Sequence, residues 1–501
     1  MQFKRQLVWL TLAAAVFGSA CGSAEPVATD FTRVATLAGQ GRSLGEPFGI
    51  ATRDGHTYIS DGTAGTIVRI APDGTLATVA TGLSTPSGIA FVPDGSLLVA
   101  DTGTHTIKKV DAAGAVTLVA GAENAPGDAD GTVADARFTG PIGIAATAGG
   151  RIYVADTYND AIRVIENGAV RTIAGGLRGF ADGHGTSAKF ELPLGLALWQ
   201  GDKVLVADAG NRRIRVIEPD GRVWTLAGSG SGGGDDGFPS QASFEMPTAV
   251  TVDAHGIIYV ADGNAMRSIG RRAFAYVETL SHRRRGLSDG LPHHARFNRP
   301  SGVAVNDAGE LLVADSDNVL VRSFTNSSEA ALLTAEDARS HHYSAEEFRA
   351  LAPGRWPYDP PERTREIAGT LGEIRGEIVD QTSEAWFHNG LDIPGSFGET
   401  ARFIREETVL DPAAAQNFNT ARELIRMPTM GYVHIRIGRE AADRFYPDAR
   451  FQFNDDPGVP PVMRVPRGAR FAAGEPMGTL NSQNHVHLIA GRSGFEMNAL
   501  D

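Results

Sequence analysis

Residues 141–175 read PIGIAATAGGRIYVADTYNDAIRVIENGAVRTIAG. The stretch holds four short apolar runs: Pro141-Ile-Gly-Ile144, Tyr153-Val-Ala-Asp156, Ile162-Arg-Val-Ile165 and Val170-Arg-Thr-Ile-Ala-Gly175. Each is strand length, rich in β-branched residues and bounded by turn formers, which predicts four β-strands in succession. The pattern recurs in both directions. Its first element returns as Pro47-Phe-Gly-Ile, Pro86-Ser-Gly-Ile, Pro193-Leu-Gly-Leu, Pro247-Thr-Ala-Val and Pro300-Ser-Gly-Val. Its second returns as apolar runs ending at Asp61, Asp101, Asp208, Asp262 and Asp315. The first step is 39 residues and the later ones 52 to 55.

Four-stranded units at this spacing are the signature of a β-propeller, because one blade cannot bury both of its faces alone. Six units predict six blades. The ring must also close. Val34-Ala-Thr-Leu-Ala-Gly39 precedes the first unit as an orphan fourth strand, and the last unit, ending near Phe324, lacks one. The N-terminal strand is therefore expected to complete the sixth blade. The strand-end aspartates are read as structural, bonding backbone N–H groups of turns. The adjacent pairs His293-His294 and His341-His342 are read as exposed loop residues, since neighbours on a strand face opposite ways.

These residues resemble the NHL repeat family over about residues 33–327. The later units also carry inserts of the kind seen in NHL propellers: Asp130-Gly131 with Ala136 and Phe138, Asp182-Gly183 with Ala188 and Phe190, and Asp289-Gly290 with Ala295 and Phe297.

Composition agrees with an all-β chain. Sixty glycines in 501 residues supply many tight turns. A formal charge of −13 argues against nucleic acid as partner, because phosphate neutralisation needs a basic surface. The single cysteine, Cys21, excludes an internal disulfide and any Cys-based metal centre.

Residues 1–21 read as an export signal: Lys4 and Arg5, an apolar run from Leu7 to Phe17, then Gly18-Ser-Ala20 before Cys21. The apolar run is too short for a stable span. Cys21 at this place resembles the lipobox of bacterial lipoproteins, although Gly18 stands where that family prefers Leu. The resemblance implies acylation of Cys21 and an exported, lipid-anchored or periplasmic protein. Ordinary cleavage after Ala20 or Ala24 is the alternative.

Beyond Phe324 the repeat stops. Residues 328–360 read as a connector, helical in part and broken by prolines, and 361–501 as a second, small β-rich domain. This domain carries His388-Asn-Gly-Leu-Asp392 and His485-Val-His487. H-x-H on a strand puts both rings on one face, and H-x-x-x-D along an extended segment does the same. Two His and one Asp leave a fourth position open, as a catalytic zinc site requires.

In its order of motifs, the segment from about residue 355 resembles the lysostaphin-type (LytM-type) peptidases. The stretches Ile367–Gly376 and Val465–Gly478 carry that likeness beside the two His motifs. The resemblance implies a zinc metalloendopeptidase acting on peptidoglycan. His388, Asp392 and His487 would hold Zn²⁺, and His485 would act as general base or transition-state stabiliser beside it. His434, in Tyr432-Val-His434-Ile, would be a further catalytic residue, or else Gly431–Gly438 matches an earlier strand of that family. Asn481-Ser-Gln-Asn484 departs from the family's Thr-Gly loop. The chain is thus expected to pair a six-bladed NHL-type propeller, as docking platform, with a peptidase domain. Its partners would be a peptidoglycan peptide or another cell-envelope polypeptide, with a protein partner on the propeller. The alternative is a non-catalytic scaffold with a degenerate peptidase domain. Catalysis on the propeller, as in lactonase-like enzymes, ranks last because no metal cluster is visible there.

Overall fold

The computed structural model describes residues 31–491, except for 272–275, 329 and several short stretches between 335 and 389. It divides into two compact units, Met1–Ala338 and Arg339–Asp501.

The first unit is six antiparallel sheets of four main strands each, with a fifth, two-residue strand added at the outer edge of blades 3 and 4 by Gly131–Thr132 and Gly183–His184. Blade 3 shows the plan. Pro141–Ala146 is innermost, followed outward by Ile152–Asp156, Ala161–Glu166 and Ala169–Gly175. The second strand of such a blade is covered on both faces, so Ile152–Asp156 is buried at every residue. That is why it reads as an unbroken apolar run rather than an alternating one. The innermost strands, which begin at Pro47, Pro86, Pro141, Pro193, Pro247 and Pro300, touch one another in cyclic order, the last returning to the first. Six apolar cores lie between neighbouring blades, one for each interface.

Closure follows the expected route. Arg33–Ala38 pairs antiparallel with Leu320–Thr325, bringing Val34 opposite Phe324. Both side chains are fully buried, with Phe297 stacked on Phe324.

The axis is tight. Gly49, Gly88, Gly143, Gly195 and Gly302 hold the third position of five inner strands. A Cβ on Gly49 would strike the Ser87 carbonyl, and one on Gly302 would strike that of Phe48. Only glycine permits this approach of one backbone to the next. Hydroxyls bridge the same seams: Thr102 donates to the Pro141 carbonyl at 2.7 Å and Thr157 to that of Pro193 at 2.8 Å.

Each strand-end aspartate ties down the loop ahead of its own inner strand. Asp156 accepts from the Thr139 N–H at 2.7 Å, Asp208 from Glu191 at 2.9 Å and Asp315 from Asn298 at 2.8 Å. In blades 3 to 6 the same aspartate also meets a buried arginine, which reaches on to the aspartate of the insert. Arg163 joins Asp156 and Asp130, Arg215 joins Asp208 and Asp182, Arg267 joins Asp262 and Asp236, and Arg322 joins Asp315 and Asp289. Each guanidinium also lies over an insert phenylalanine: Phe138, Phe190, Phe244 or Phe297. The insert Asp-Gly and Phe are thus the outer half of a repeated ion-pair triad whose arginine and strand-end aspartate are buried. Blade 2 has Lys108 between Asp101 and Glu123 instead, and blade 1 has Val68 at that place.

The second unit is also β-rich. One sheet runs in the order Leu391–Pro394, His485–Ala490, Met430–Val433, Leu424–Arg426, Ala415–Gln416. A second runs Thr400–Arg402, Pro476–Leu480, Ile435–Ile437. The chain crosses from one to the other at His434, whose φ of +68° marks the corner. Tyr358, Ile393, Phe403, Tyr432, Phe471 and Val486 are in its single core. No helix among the described residues is long and apolar enough to cross a membrane.

Candidate functional site

The second unit brings four of the expected site residues together. Leu391–Pro394 pairs with His485–Ala490 in a register that sets Asp392 opposite His487 and Pro394 opposite His485. On the other side of that strand, Val433 faces His487, so the next residue, His434, reaches the same place. The His434 and His485 rings stand 4.6 Å apart, and His434 and His487 6.2 Å. Asp392 and His487 are buried, and His434 and His485 are half-buried.

Backbone carbonyls fix two of the rings. His434 Nδ1 donates to the Ala421 carbonyl at 2.6 Å, and His485 Nδ1 donates to that of Gln483 at 2.8 Å. Each neutral ring therefore carries its lone pair on Nε2. Asn481 Nδ2 donates to the same Ala421 oxygen at 3.0 Å, and its N–H to the His434 carbonyl at 3.1 Å. The loop Asn481–Asn484 is thus part of the frame that orients His434. Gly390 is needed for a different reason, since a Cβ there would run into the His487 ring and the Leu488 carbonyl. The supporting role of Ala421 and Asn481 has no motif of its own. Its one sequence signal is the unusual polar run ahead of His485.

Asp392 Oδ1 accepts from His487 Nδ1 at 2.9 Å and lies 3.4 Å from His485 Nε2. A carboxylate oxygen facing the lone pair of an imidazole repels it unless a proton or a cation stands between them. Burial, helped by the two neighbouring rings, lowers the His434 pKa below its ordinary value, while the Ala421 carbonyl works the other way. The imidazole and carboxylate donors, with outer carbonyl partners, suit zinc in their chemistry. As placed, however, they are joined by hydrogen bonding. Among the described residues no group of three or more His, Cys, Asp and Glu side chains is arranged to hold a metal ion. His388 and Cys21 lie outside the described residues.

Comparison with known proteins bears on the first unit. Residues 47–174 match the SMP-30/gluconolactonase/LRE-like region, and residues 297–324 match the NHL repeat. The chain is 29% identical over 262 residues to NHL repeat-containing protein 2 of Homo sapiens, covering 44% of this chain and 36% of that one. It is 34% identical over 162 residues to the chloroplastic protein Suppressor of quenching 1 of Arabidopsis thaliana, covering 29% and 15%. The chain thus spans from about one seventh to just over a third of these relatives. Among solved structures, a structural-genomics protein from Bacteroides thetaiotaomicron aligns with a TM-score of 0.48 at 20% identity, covering 59% of this chain and 76% of that one. A gluconolactonase from Xanthomonas campestris aligns with a TM-score of 0.43 at 15% identity, covering 60% and 97%. The first unit is therefore similar to the NHL and gluconolactonase-like β-propellers.

These findings correct one expectation. The reading of the chain as a zinc metalloendopeptidase of the lysostaphin/LytM type is overturned, since the family models that match are propeller models within residues 47–324. The physical source of the error lies in what the motifs report. H-x-x-x-D and H-x-H are satisfied by strand register, which brings Asp392, His485 and His487 together whether or not the cluster does peptidase chemistry.

Proposed function

We propose that the protein is a non-catalytic binding and scaffolding protein of the cell envelope, with the propeller as its docking platform. One observation carries this reading. Leu177, Phe180, Phe238 and Leu291 are large apolar side chains, 45% to 55% exposed, and all sit on the inserts that precede blades 4, 5 and 6. Exposed apolar side chains on three consecutive inserts suit a polypeptide partner. The partner is a cell-envelope polypeptide, of which the peptide part of peptidoglycan is the first to test. The acidic chain is unsuited to nucleic acid. Export through residues 1–21, with acylation at Cys21, would deliver the protein to the envelope.

The second unit contributes the histidine–aspartate cluster. Zinc is the cation its donors suit, with Asp392, His487 and His388 as ligands and His434 and His485 beside them. Bound there, it would supply the positive charge that Asp392 and His485 Nε2 call for.

Cosedimentation with purified peptidoglycan tests the docking role. The wild type is expected to bind without releasing soluble peptide. The Leu177→Ser/Phe238→Ser/Leu291→Ser variant should lose most of the binding. Release of peptide by the wild type would sink the non-catalytic reading, and unaltered binding by the triple variant would sink the docking surface. Metal analysis after dialysis tests zinc separately, with stoichiometric metal expected in the wild type and lost in His487→Ala.

A further inference from the structure

Gly228-Ser-Gly-Ser-Gly-Gly-Gly234 opens the insert between blades 4 and 5. Gly230, Gly232 and Gly234 each have an arginine head against the place where a side chain would begin. Arg213 occupies that position at Gly230, Arg212 approaches within 3.4 Å of it at Gly232, and Arg283 within 2.7 Å at Gly234. Arg212 and Arg213 come from blade 4, and Arg283 from the insert before blade 6. Three segments distant in sequence thus converge on one loop.

None of the three arginines has an acidic partner within ion-pair distance among the described residues. The half-buried Arg213 donates only to the carbonyls of Asn211 at 2.9 Å and Ser229 at 2.8 Å, and lies 3.7 Å over the Phe180 ring. Burial and the adjacent Arg215 work against its charge. The acids nearby are engaged elsewhere. Asp208 and Asp182, which favour the Arg213 charge at longer range, both pair with Arg215. Asp235 accepts from the Ser243 hydroxyl at 3.0 Å, and Asp236 pairs with Arg267 at 3.0 Å and accepts from Thr279. An Asp235 oxygen lies 3.7 Å from where a side chain would begin at Gly233, yet in a chain of net charge −13 none of the three arginines forms an ion pair among the described residues.

The loop backbone supplies a second, independent sign. The N–H groups of Gly230, Gly232, Gly233 and Gly234 have no protein hydrogen-bond partner among the described residues. Gly230 at φ +89° and Gly233 at φ +140° hold conformations that side chains disfavour. Open backbone donors in a glycine loop beside guanidinium forks are the chemistry that binds tetrahedral oxoanions.

We propose that residues 228–234 with Arg212, Arg213 and Arg283 form a binding site for a phosphate-type oxoanion. The site adjoins the docking surface, since Arg213 lies over Phe180, but it does not rest on that role or on the histidine cluster. Calorimetric titration of the full chain at constant ionic strength tests it, with inorganic phosphate and glycerol 3-phosphate as probes. Saturable binding of at least one is expected. Glycerol 3-phosphate binding as tightly as phosphate would assign an esterified phosphate, and phosphate alone a free anion. Arg212→Gln/Arg283→Gln should weaken binding about tenfold or more. Gly234→Ala keeps every charge but places a methyl where the Arg283 head lies, and should weaken it about threefold. Arg69→Gln, on exposed blade 1 surface, should leave it unchanged. Absence of saturable binding would overturn the site. So would an equal loss in Arg69→Gln, or no loss in the double arginine variant.

Discussion

The two units bury acids by different means. In blades 2 to 6 of the propeller the buried strand-end carboxylate is met each time by a cation, whereas in the second unit Glu423 has such a partner in Arg439 and Glu407 does not. Burial pushes Asp156, Asp208, Asp262 and Asp315 up to about 6, while Arg163, Arg215, Arg267 and Arg322 pull each one down. In the second unit, Glu407 is buried with no ion-pair partner among the described residues. Thr429 donates to its Oε1 through both N–H and hydroxyl, and Oε2 has no hydrogen-bond partner among them. Burial pushes that carboxyl up to about 7. A repeated fold reuses one solution to the cost of burying an acid, whereas a single-core unit meets that cost residue by residue.

The sharpest way to break the comparison is at the seam of the ring. Val34→Asp puts an unpaired charge between Phe324 and Phe297, an insult worth more than about 4 kcal/mol. Differential scanning calorimetry should show the propeller transition fall by roughly 10 °C, with the second transition unmoved. A joint fall of both transitions would mean that the two units are one cooperative body.

Within the ring, Arg215→Met strands Asp208 and Asp182 and should cost about 3–5 kcal/mol in denaturant unfolding. Lys108→Met in blade 2 should cost less, because Arg215 also holds the Lys189 and Ala181 carbonyls and lies over Phe190, whereas Lys108 joins Asp101 and Glu123. Equal losses would remove the distinction between the triads of blades 3 to 6 and the simpler pair of blade 2.

Glu407 sharpens the contrast by pH. Its folded-state pKa is raised from 4.5 to about 7, so the folded unit holds a proton that the unfolded chain gives up. The stability this contributes is complete below 4.5 and is lost as pH rises through 7. The midpoint of the second transition should therefore fall between about pH 5 and about pH 7, and Glu407→Gln should flatten that fall. A wild-type profile that is flat across this range would show the carboxyl to be ionised throughout.

The smallest effect is expected from cutting the chain between the units. Ser328, Ala330 and Leu333 bond to the propeller through Arg33 and Asp289, while Trp356 and Tyr358 pack in the second core. Limited proteolysis between Thr334 and Trp356 should leave two fragments, each with the transition it had in the whole chain.

The sequence was most legible where it repeats. Five copies of Pro-x-Gly, a sixth unit with Pro247-Thr-Ala, and six strand-end aspartates outweigh local ambiguity, and the orphan strand at Val34 announces how the ring closes. The insert Asp-Gly and Phe were visible, but their partner was not. Arg163 and its counterparts look like ordinary exposed strand residues until a distant insert covers them. That His485 and His487 share one face was legible from strand periodicity, whereas the meeting of Asp392 and His434 with them was expected only from the family resemblance. What the cluster does was not legible, because register delivers proximity without function. The carbonyl of Ala421 and the arginines at Gly230–Gly234 left almost no trace, since a backbone atom and a loop crossing have no residue code.

The glycines at the axis also limit how such a molecule can change. Gly49, Gly88, Gly143, Gly195 and Gly302 set the spacing of the hub at backbone contact, so the hub has no slack to share out. A ring of this kind is counted in whole teeth, like a gear: an extra blade would require every inner strand to move outward at once. New surface can then be gained only at the circumference, where lengthening a connector leaves the hub as it was.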